Sequence, residues 1–82
     1  MRNVFVSLST TELVQEFVRT LTKLEGDFEL VSGNFVLDAR SLMGIFSMDI
    51  SCPILLRVYN DIPQNFQALS RFIIASHNVS ES

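Results

Sequence analysis

The sequence predicts an α+β fold, a two-layer open-faced sandwich in which helices cover one face of a four-stranded, mostly antiparallel sheet. The first observation behind this prediction is that strand-like and helix-like segments follow one another in the order β-α-β-β-α-β-α. The second is composition, because 48% of the 82 residues are hydrophobic and 18% are charged, which is typical of one globular core. Two helices long enough to cover a sheet favour the two-layer arrangement. We expect residues 1–76 to form a single domain and residues 77–82 to form a polar tail.

The first strand and the first helix are predicted from local patterns. A β-branched and aromatic run at residues 4–6 predicts the strand. Ser9 and Glu12 have the Ser-x-x-Glu spacing of a capping box, so we expect the helix to begin at Ser9. Gly26 is expected to close the helix in a left-handed conformation. The core face of this helix is an apolar stripe at spacings of three and four residues, made of Leu13, Val14, Phe17, Val18, Leu21 and Leu24.

A hairpin and a short helix are predicted in the middle of the chain. Strand-like runs at residues 28–31 and 35–38 are joined by a segment with a Gly-Asn pair, which tolerates the positive φ of a tight turn. Residues 39–48 then predict a helix of one to two turns. That segment carries more apolar side chains than so short a helix can bury, and of these we expect Ile45 and Met48 to be core.

The last part of the chain predicts one more strand and one more helix. An apolar run at residues 54–59 indicates a central strand, and Pro63 suits the first turn of the helix that follows. The single cysteine, Cys52, is expected to be an inert core thiol. The core face of the last helix is predicted from the spacing of Phe66, Leu69, Phe72 and Ile73.

Charge and residue counts exclude several functional classes. The net charge is −3 and the six basic residues form no run, which disfavours nucleic-acid binding. One histidine and one cysteine cannot supply a disulfide, a metal site or a catalytic triad, so we expect no enzyme, no cofactor and no catalytic residue. No apolar run approaches the roughly 18 residues of a membrane span, and the N-terminal segment lacks the apolar h-region of a signal peptide. We therefore expect a cytoplasmic protein that does not insert into membranes.

The segment at residues 40–47, Arg-Ser-Leu-Met-Gly-Ile-Phe-Ser, resembles the histidine-containing phosphocarrier protein (HPr) family of the bacterial sugar phosphotransferase system. That family has Lys-Ser-Ile/Leu-Met-Gly, two apolar residues and Ser at the start of a short second helix. The resemblance extends over roughly residues 13–75, because the elements on both sides have the family's order and spacing. It implies the HPr fold and a place among bacterial proteins of sugar transport.

The resemblance also implies that the family's phosphate-carrying loop is degenerate here. In HPr a histidine just before the first helix carries the phosphate and is followed by an arginine and a proline. Counted back from Ser41, that place is occupied by Thr10, Thr11 and Glu12. A threonine ester is too stable to pass phosphate on, and the Glu12 carboxylate repels it. The hydroxyls of Ser9, Thr10 and Thr11 lie at a helix N-terminus, where backbone donors can bind an anion. The alternative for them is helix capping alone.

Ser41 and the apolar residues around it match two further features of HPr. Ser41 matches the serine that a dedicated ATP-dependent kinase phosphorylates in many members, and a phosphate is favoured at a helix N-terminus. The alternative is that Ser41 is only an N-cap. The resemblance assigns partner binding to Arg40, Leu42, Met43 and Phe46. The alternative is that these apolar residues belong to the core.

These expectations combine into one functional hypothesis and one alternative. The hypothesis is an HPr-like phosphoprotein that has lost histidine phosphotransfer and acts as a regulatory or binding module through the Ser41 helix. Its partners are expected to be proteins of the phosphotransferase or carbon-regulation type, including an HPr kinase. The alternative is a structural or homo-oligomeric module that retains only the fold. The sequence leaves the oligomeric state open.

Overall fold

The computed structural model describes residues 1–77. Five strands and three helices follow one another along this part of the chain, and they include the predicted hairpin and the predicted short helix. Within residues 1–77, no helix has both the length and the apolar character of a membrane span. The elements are β1 (Arg2–Val6), α1 (Thr11–Thr22), β2 (Phe28–Ser32), β3 (Phe35–Asp38), α2 (Leu42–Phe46), β4 (Ile54–Val58), α3 (Pro63–Leu69) and β5 (Ile73–His77).

The sheet has five strands in the order β3-β2-β4-β1-β5, and every neighbouring pair is antiparallel. The α+β class with an antiparallel sheet is therefore confirmed, whereas the predicted number of four strands is wrong. Strands β2 and β3 form the expected hairpin, in which Gly33 takes the positive φ of 59° and Asn34 does not.

The fifth strand lies where the sequence predicts the end of the last helix. Helix α3 stops at Leu69, and the backbone N–H of Phe72 donates to the Leu69 carbonyl at 2.9 Å in a closing turn. Ile73 then pairs with Val6 on β1, and His77 pairs with Asn3. The predicted tail is thus wrong for His77, which belongs to β5, while residues 78–82 lie outside the described part of the chain. Phe72 is buried as expected, but it reaches the core from a turn and packs edge-to-face on Phe17 with centroids 5.3 Å apart.

The core lies between the helices and one face of the sheet. Alternate residues of the strands point into it, as Val4 and Val6 do on β1 and Leu56 does on β4. The helices add Val14, Phe17, Leu21, Ile45 and Leu69. The intervening strand residues form the opposite face, which we call the open face, and they are half-buried or exposed. The expected open-faced arrangement follows from this division.

The prediction of a buried Cys52 is wrong, because this cysteine is exposed. It lies in a polar turn in which the Asp49 carboxylate accepts the backbone N–H of Ser51 at 3.1 Å. Pro53 is exposed as well, and burial begins only at Ile54. The apolar neighbours of Cys52 in the sequence therefore belong to the strand that follows and not to the turn.

Candidate functional site

Helix α2 begins at a local cap that the sequence predicts. The Ser41 backbone is extended, and its Oγ accepts the backbone N–H of Gly44 at 3.2 Å. A Cβ on residue 44 would lie 2.9 Å from that Oγ, so the glycine leaves room for the capping hydroxyl. The pairing of Ser41 with Gly44 is thus explained by the geometry of one helical turn.

Three apolar side chains of α2 face solvent. Leu42, Met43 and Phe46 are 36%, 82% and 40% exposed, and we refer to them together as the α2 patch. Ile45 is fully buried and Met48 packs against the core, as predicted. A helix of five residues turns only part of its surface toward the core, so the remaining apolar side chains stay outside.

Arg40, which precedes the cap, is tied to the far end of α1. Its Nε donates to the Leu21 carbonyl at 3.0 Å, and its two terminal nitrogens donate to the carbonyls of Leu24 at 2.7 Å and Gly26 at 2.9 Å. The guanidinium also lies 5.1 Å from the centre of the Phe28 ring. It therefore satisfies carbonyls that the C-terminus of a helix leaves open. The partner-binding role of Arg40 stays a prediction, and the role seen in the fold is a structural one.

The N-terminus of α1 begins one residue later than the capping-box pattern predicts. Thr10, not Ser9, is the N-cap, and its Oγ1 accepts the backbone N–H of Leu13 at 3.1 Å. The Glu12 carboxylate lies 3.4 Å from the Thr11 hydroxyl. Ser9 does not cap because Thr10 has the extended backbone that the capping position needs.

The start of α1 and the Arg40 side chain, both singled out by the resemblance, lie at opposite ends of α1. Thr10 caps the first turn of α1, whereas Arg40 contacts carbonyls at and beyond the last turn. A helix of 12 residues is about 18 Å long, which sets the scale of that separation. Among the described residues, no hydrogen bond joins Thr10, Thr11 or Glu12 to residues 40–46.

A cleft of about 310 Å³ adjoins α2 and includes a residue that sequence reasoning missed. The aromatic ring of Phe35 is 73% exposed on this edge, although the strand pattern gave no sign of it. An acidic side chain borders the cleft as well. The Ser51 hydroxyl and backbone N–H donate to the Asp49 carboxylate and hold its pKa below the ordinary value. The cleft is lined by Ser32, Phe35, Ser47, Met48 and Asp49.

No cluster of metal-ligating side chains is found within residues 1–77. Among the residues that the structure describes, no group of three or more histidine, cysteine, aspartate or glutamate side chains is arranged to hold an ion. The candidate site consists of the α2 patch, Ser41 and the neighbouring cleft.

Comparison with solved structures identifies the fold. The chain is similar to the crystal structure of HPr-C-His from Thermoanaerobacter tengcongensis, with a TM-score of 0.72 and 23% sequence identity. The match covers 87% of this chain and 89% of that one. No family model and no curated protein sequence matches the chain. The protein thus has an HPr-like fold, as the resemblance at residues 40–47 predicts, and at this identity the likeness concerns the fold alone.

Proposed function

We propose that this protein is an HPr-like regulatory or binding module that engages a protein partner through the α2 patch. The observation that carries the proposal is the exposure of Leu42, Met43 and Phe46 directly beside Ser41. Clustered apolar side chains on a surface favour association, and a flexible Met adapts to the shape of a partner. The partner belongs to the phosphotransferase or carbon-regulation class, and the encounter takes place in the cytoplasm of a bacterium.

Ser41 acts as the switch of this surface in the proposal. A kinase transfers the γ-phosphoryl group of ATP to Oγ, ADP leaves, and the hydroxyl proton passes to the kinase. The product carries a charge of about −1.5 to −2 at the first turn of α2, next to Leu42. Such a charge changes the affinity of the α2 patch for a partner, and the free N–H groups at the start of the helix favour it there.

The first test is the intact mass after incubation with an HPr kinase and ATP. We expect the wild type to gain one phosphate and Ser41→Ala to gain none. Ser47→Ala is the matched control, since Ser47 is an exposed serine at the other end of the same helix, and it should gain one phosphate like the wild type. A wild-type mass that does not change contradicts the regulatory role of Ser41.

The proposal also holds that phosphate is not carried on histidine. It rests on Thr10, Thr11 and Glu12 at the start of α1 and on the position of His77, the one histidine of the sequence, in β5. Incubation with phosphoenolpyruvate and the general phosphoryl-donor enzyme should leave no acid-labile phosphate on the protein. An acid-labile product would show that a carrier residue is present after all.

The alternative is a structural or homo-oligomeric module without a regulatory partner, and the same exposed α2 patch favours it. In that case the protein self-associates through α2, and Phe46→Asp returns it to the monomer. Neither reading assigns a reaction to the protein. A hydrolase screen with activity above that of buffer, retained after repurification, would contradict both.

A further inference from the structure

A second apolar surface lies on the open face of the sheet. Val31, Val36 and Leu55 stand side by side on β2, β3 and β4, because Val31 pairs with both of the others. Val36 is 52% exposed, and the other two are half-buried. Among the described residues, the core and the side chains packed against it include none of these three. We refer to them as the sheet patch.

A pair of opposite charges borders the sheet patch. Glu29 and Arg57 face each other on β2 and β4, two residues along from Val31 and Leu55, and their Oε1 and Nη1 atoms lie 3.2 Å apart. The Tyr59 hydroxyl donates to the same Glu29 oxygen at 2.7 Å. Arg57 Nη1 also donates to the Tyr59 hydroxyl at 3.5 Å, and this hydrogen bond raises the pKa of Arg57. The buried Nε of Arg57 has no hydrogen-bond partner within the described residues. Asp38 lies beside Glu29 in the same row, so this border carries two carboxylates and one guanidinium. The Arg57 Nε donor and the Oδ1 acceptor of the neighbouring Asn3 are still to be satisfied.

We propose that the sheet patch binds a second copy of this chain, face to face, about a two-fold axis that runs parallel to the strands between β2 and β4. Such a rotation places β2 of one copy over β4 of the other. Val31 then meets Leu55 of the second copy, and Glu29 meets Arg57 of the second copy. Strands remain aligned across the contact, as they do in stacked sheets.

The arrangement of charges favours a second copy as the occupant and selects this axis. A two-fold contact needs a surface that is complementary to itself, and a negative and a positive charge on adjacent strands fulfil this condition. An axis along β4 would instead bring Arg57 against Arg57. The axis between β2 and β4 also places the Glu29 carboxylate near the unpartnered Arg57 Nε. An axis along β2 would place Asp38 there instead, but it would bring Glu29 against Glu29.

The test is sedimentation velocity on the full chain over a series of concentrations. We expect the 9.3 kDa monomer to convert to a dimer as concentration rises. Leu55→Lys should raise the dimer dissociation constant by about 100-fold or more, because each copy would bury an unpaired charge in the contact. Val36→Lys, at an exposed position of an edge strand, should act in the same direction. If far-UV circular dichroism shows that Leu55→Lys does not fold, Val36→Lys still tests the contact.

Met43→Lys is the matched control, since it places the same charge on the α2 patch and should leave the dimer unchanged. A dimer that Met43→Lys dissociates and Val36→Lys does not would move the contact to α2 and overturn the proposal. A wild type that stays monomeric at every concentration would overturn it as well. The Ser41 mass test is independent of these outcomes, so the two proposals stand or fall separately.

A charge exchange tests whether Glu29 and Arg57 lie in the contact. Glu29→Arg and Arg57→Glu should each be monomeric, because each copy then presents two like charges. Mixed in equal amounts, the two variants should form a heterodimer, since every contact between them joins opposite charges. A mixture that sediments as two monomers, with both variants folded, excludes the proposed axis.

Discussion

Helices α1 and α2 begin in the same way and end differently. Each starts at a hydroxyl cap, with Thr10 accepting from Leu13 and Ser41 accepting from Gly44. The end of α1 is closed by the guanidinium of Arg40, which comes from beyond the β2–β3 hairpin. At the end of α2 the Ser47 hydroxyl donates to the Gly44 carbonyl, as the Thr22 hydroxyl donates to the Arg19 carbonyl at the end of α1. The contacts of Arg40 are therefore what distinguishes the two ends.

The two helices therefore differ in how firmly they are tied to the rest of the domain. Helix α1 buries Val14, Phe17 and Leu21 and is held by a contact that is distant in sequence. Helix α2 buries Ile45 and depends on its own neighbours for its caps. Substitutions at the ends of α1 should therefore change the stability of the whole domain, whereas substitutions on the outer surface of α2 should change binding.

The largest effect is expected from Arg40→Ala. The variant loses three charge-assisted hydrogen bonds to carbonyls around the end of α1. We expect the free energy of unfolding to fall by about 2–3 kcal/mol, measured by urea denaturation. Arg19→Ala is the control, because Arg19 lies exposed in the last turn of α1, and it should cost about 0.3–0.5 kcal/mol. Equal losses for the two variants would show that the Arg40 contacts contribute little.

Thr10→Ala should have the next largest effect. Removal of the Oγ1 that accepts from Leu13 leaves an N–H of the first turn without a partner and should lower the free energy of unfolding by about 1 kcal/mol. Thr11→Ala serves as the comparison, since the exposed Thr11 hydroxyl caps nothing. If Ser9→Ala cost more than Thr10→Ala, the capping box predicted from the sequence would be the true start of the helix.

Ser41→Ala should destabilise the domain less than Thr10→Ala, by about 0.5 kcal/mol. The cap is equivalent, but the helix that it starts has five residues and contributes one fully buried side chain. The same denaturation experiment measures the difference. A loss for Ser41→Ala that exceeds that for Thr10→Ala would make α2 part of the stabilising framework and remove the contrast between the two helices.

The smallest effect concerns Asp49, in the turn after α2. Its pKa is lowered in the folded protein by the Ser51 hydroxyl, so the contribution to stability is complete above the ordinary value of 3.8 and is lost as the pH falls through the folded value. Carboxyl titration by NMR should give a midpoint below 3.8 for the wild type. The midpoint should move upward in Ser51→Ala, and an unchanged midpoint in that variant would assign the shift to another group.

Most of the architecture could be predicted because it is encoded locally. The alternation in β1 and the stripe along α1 each follow from neighbours a few residues apart. The Ser41 cap is encoded in the same way, within one turn of helix. The similarity of residues 40–47 to HPr pointed to the fold that the structural comparison then identified.

The features that could not be predicted depend on residues far apart in the chain. The helical spacing of Leu69, Phe72 and Ile73 predicts helix where β5 begins, and only the pairing of β5 with β1 decides otherwise. The carbonyls that Arg40 binds lie 14 to 19 residues earlier, so its spacing in the sequence pointed to no such role. Exposure of Phe35 and Cys52 likewise depends on how the hairpin and the turn lie on the finished surface.

The position of Arg40 also links the opening motions of two parts of the molecule. Its guanidinium binds the end of α1, and its backbone directly precedes Ser41, the N-cap of α2. The whole β2–β3 hairpin lies between these two places in the sequence. Fraying of the end of α1 and detachment of the hairpin from the body of the domain therefore break the same three bonds. In hydrogen exchange, backbone amides in both places should open as a single cooperative unit, even though they belong to different elements.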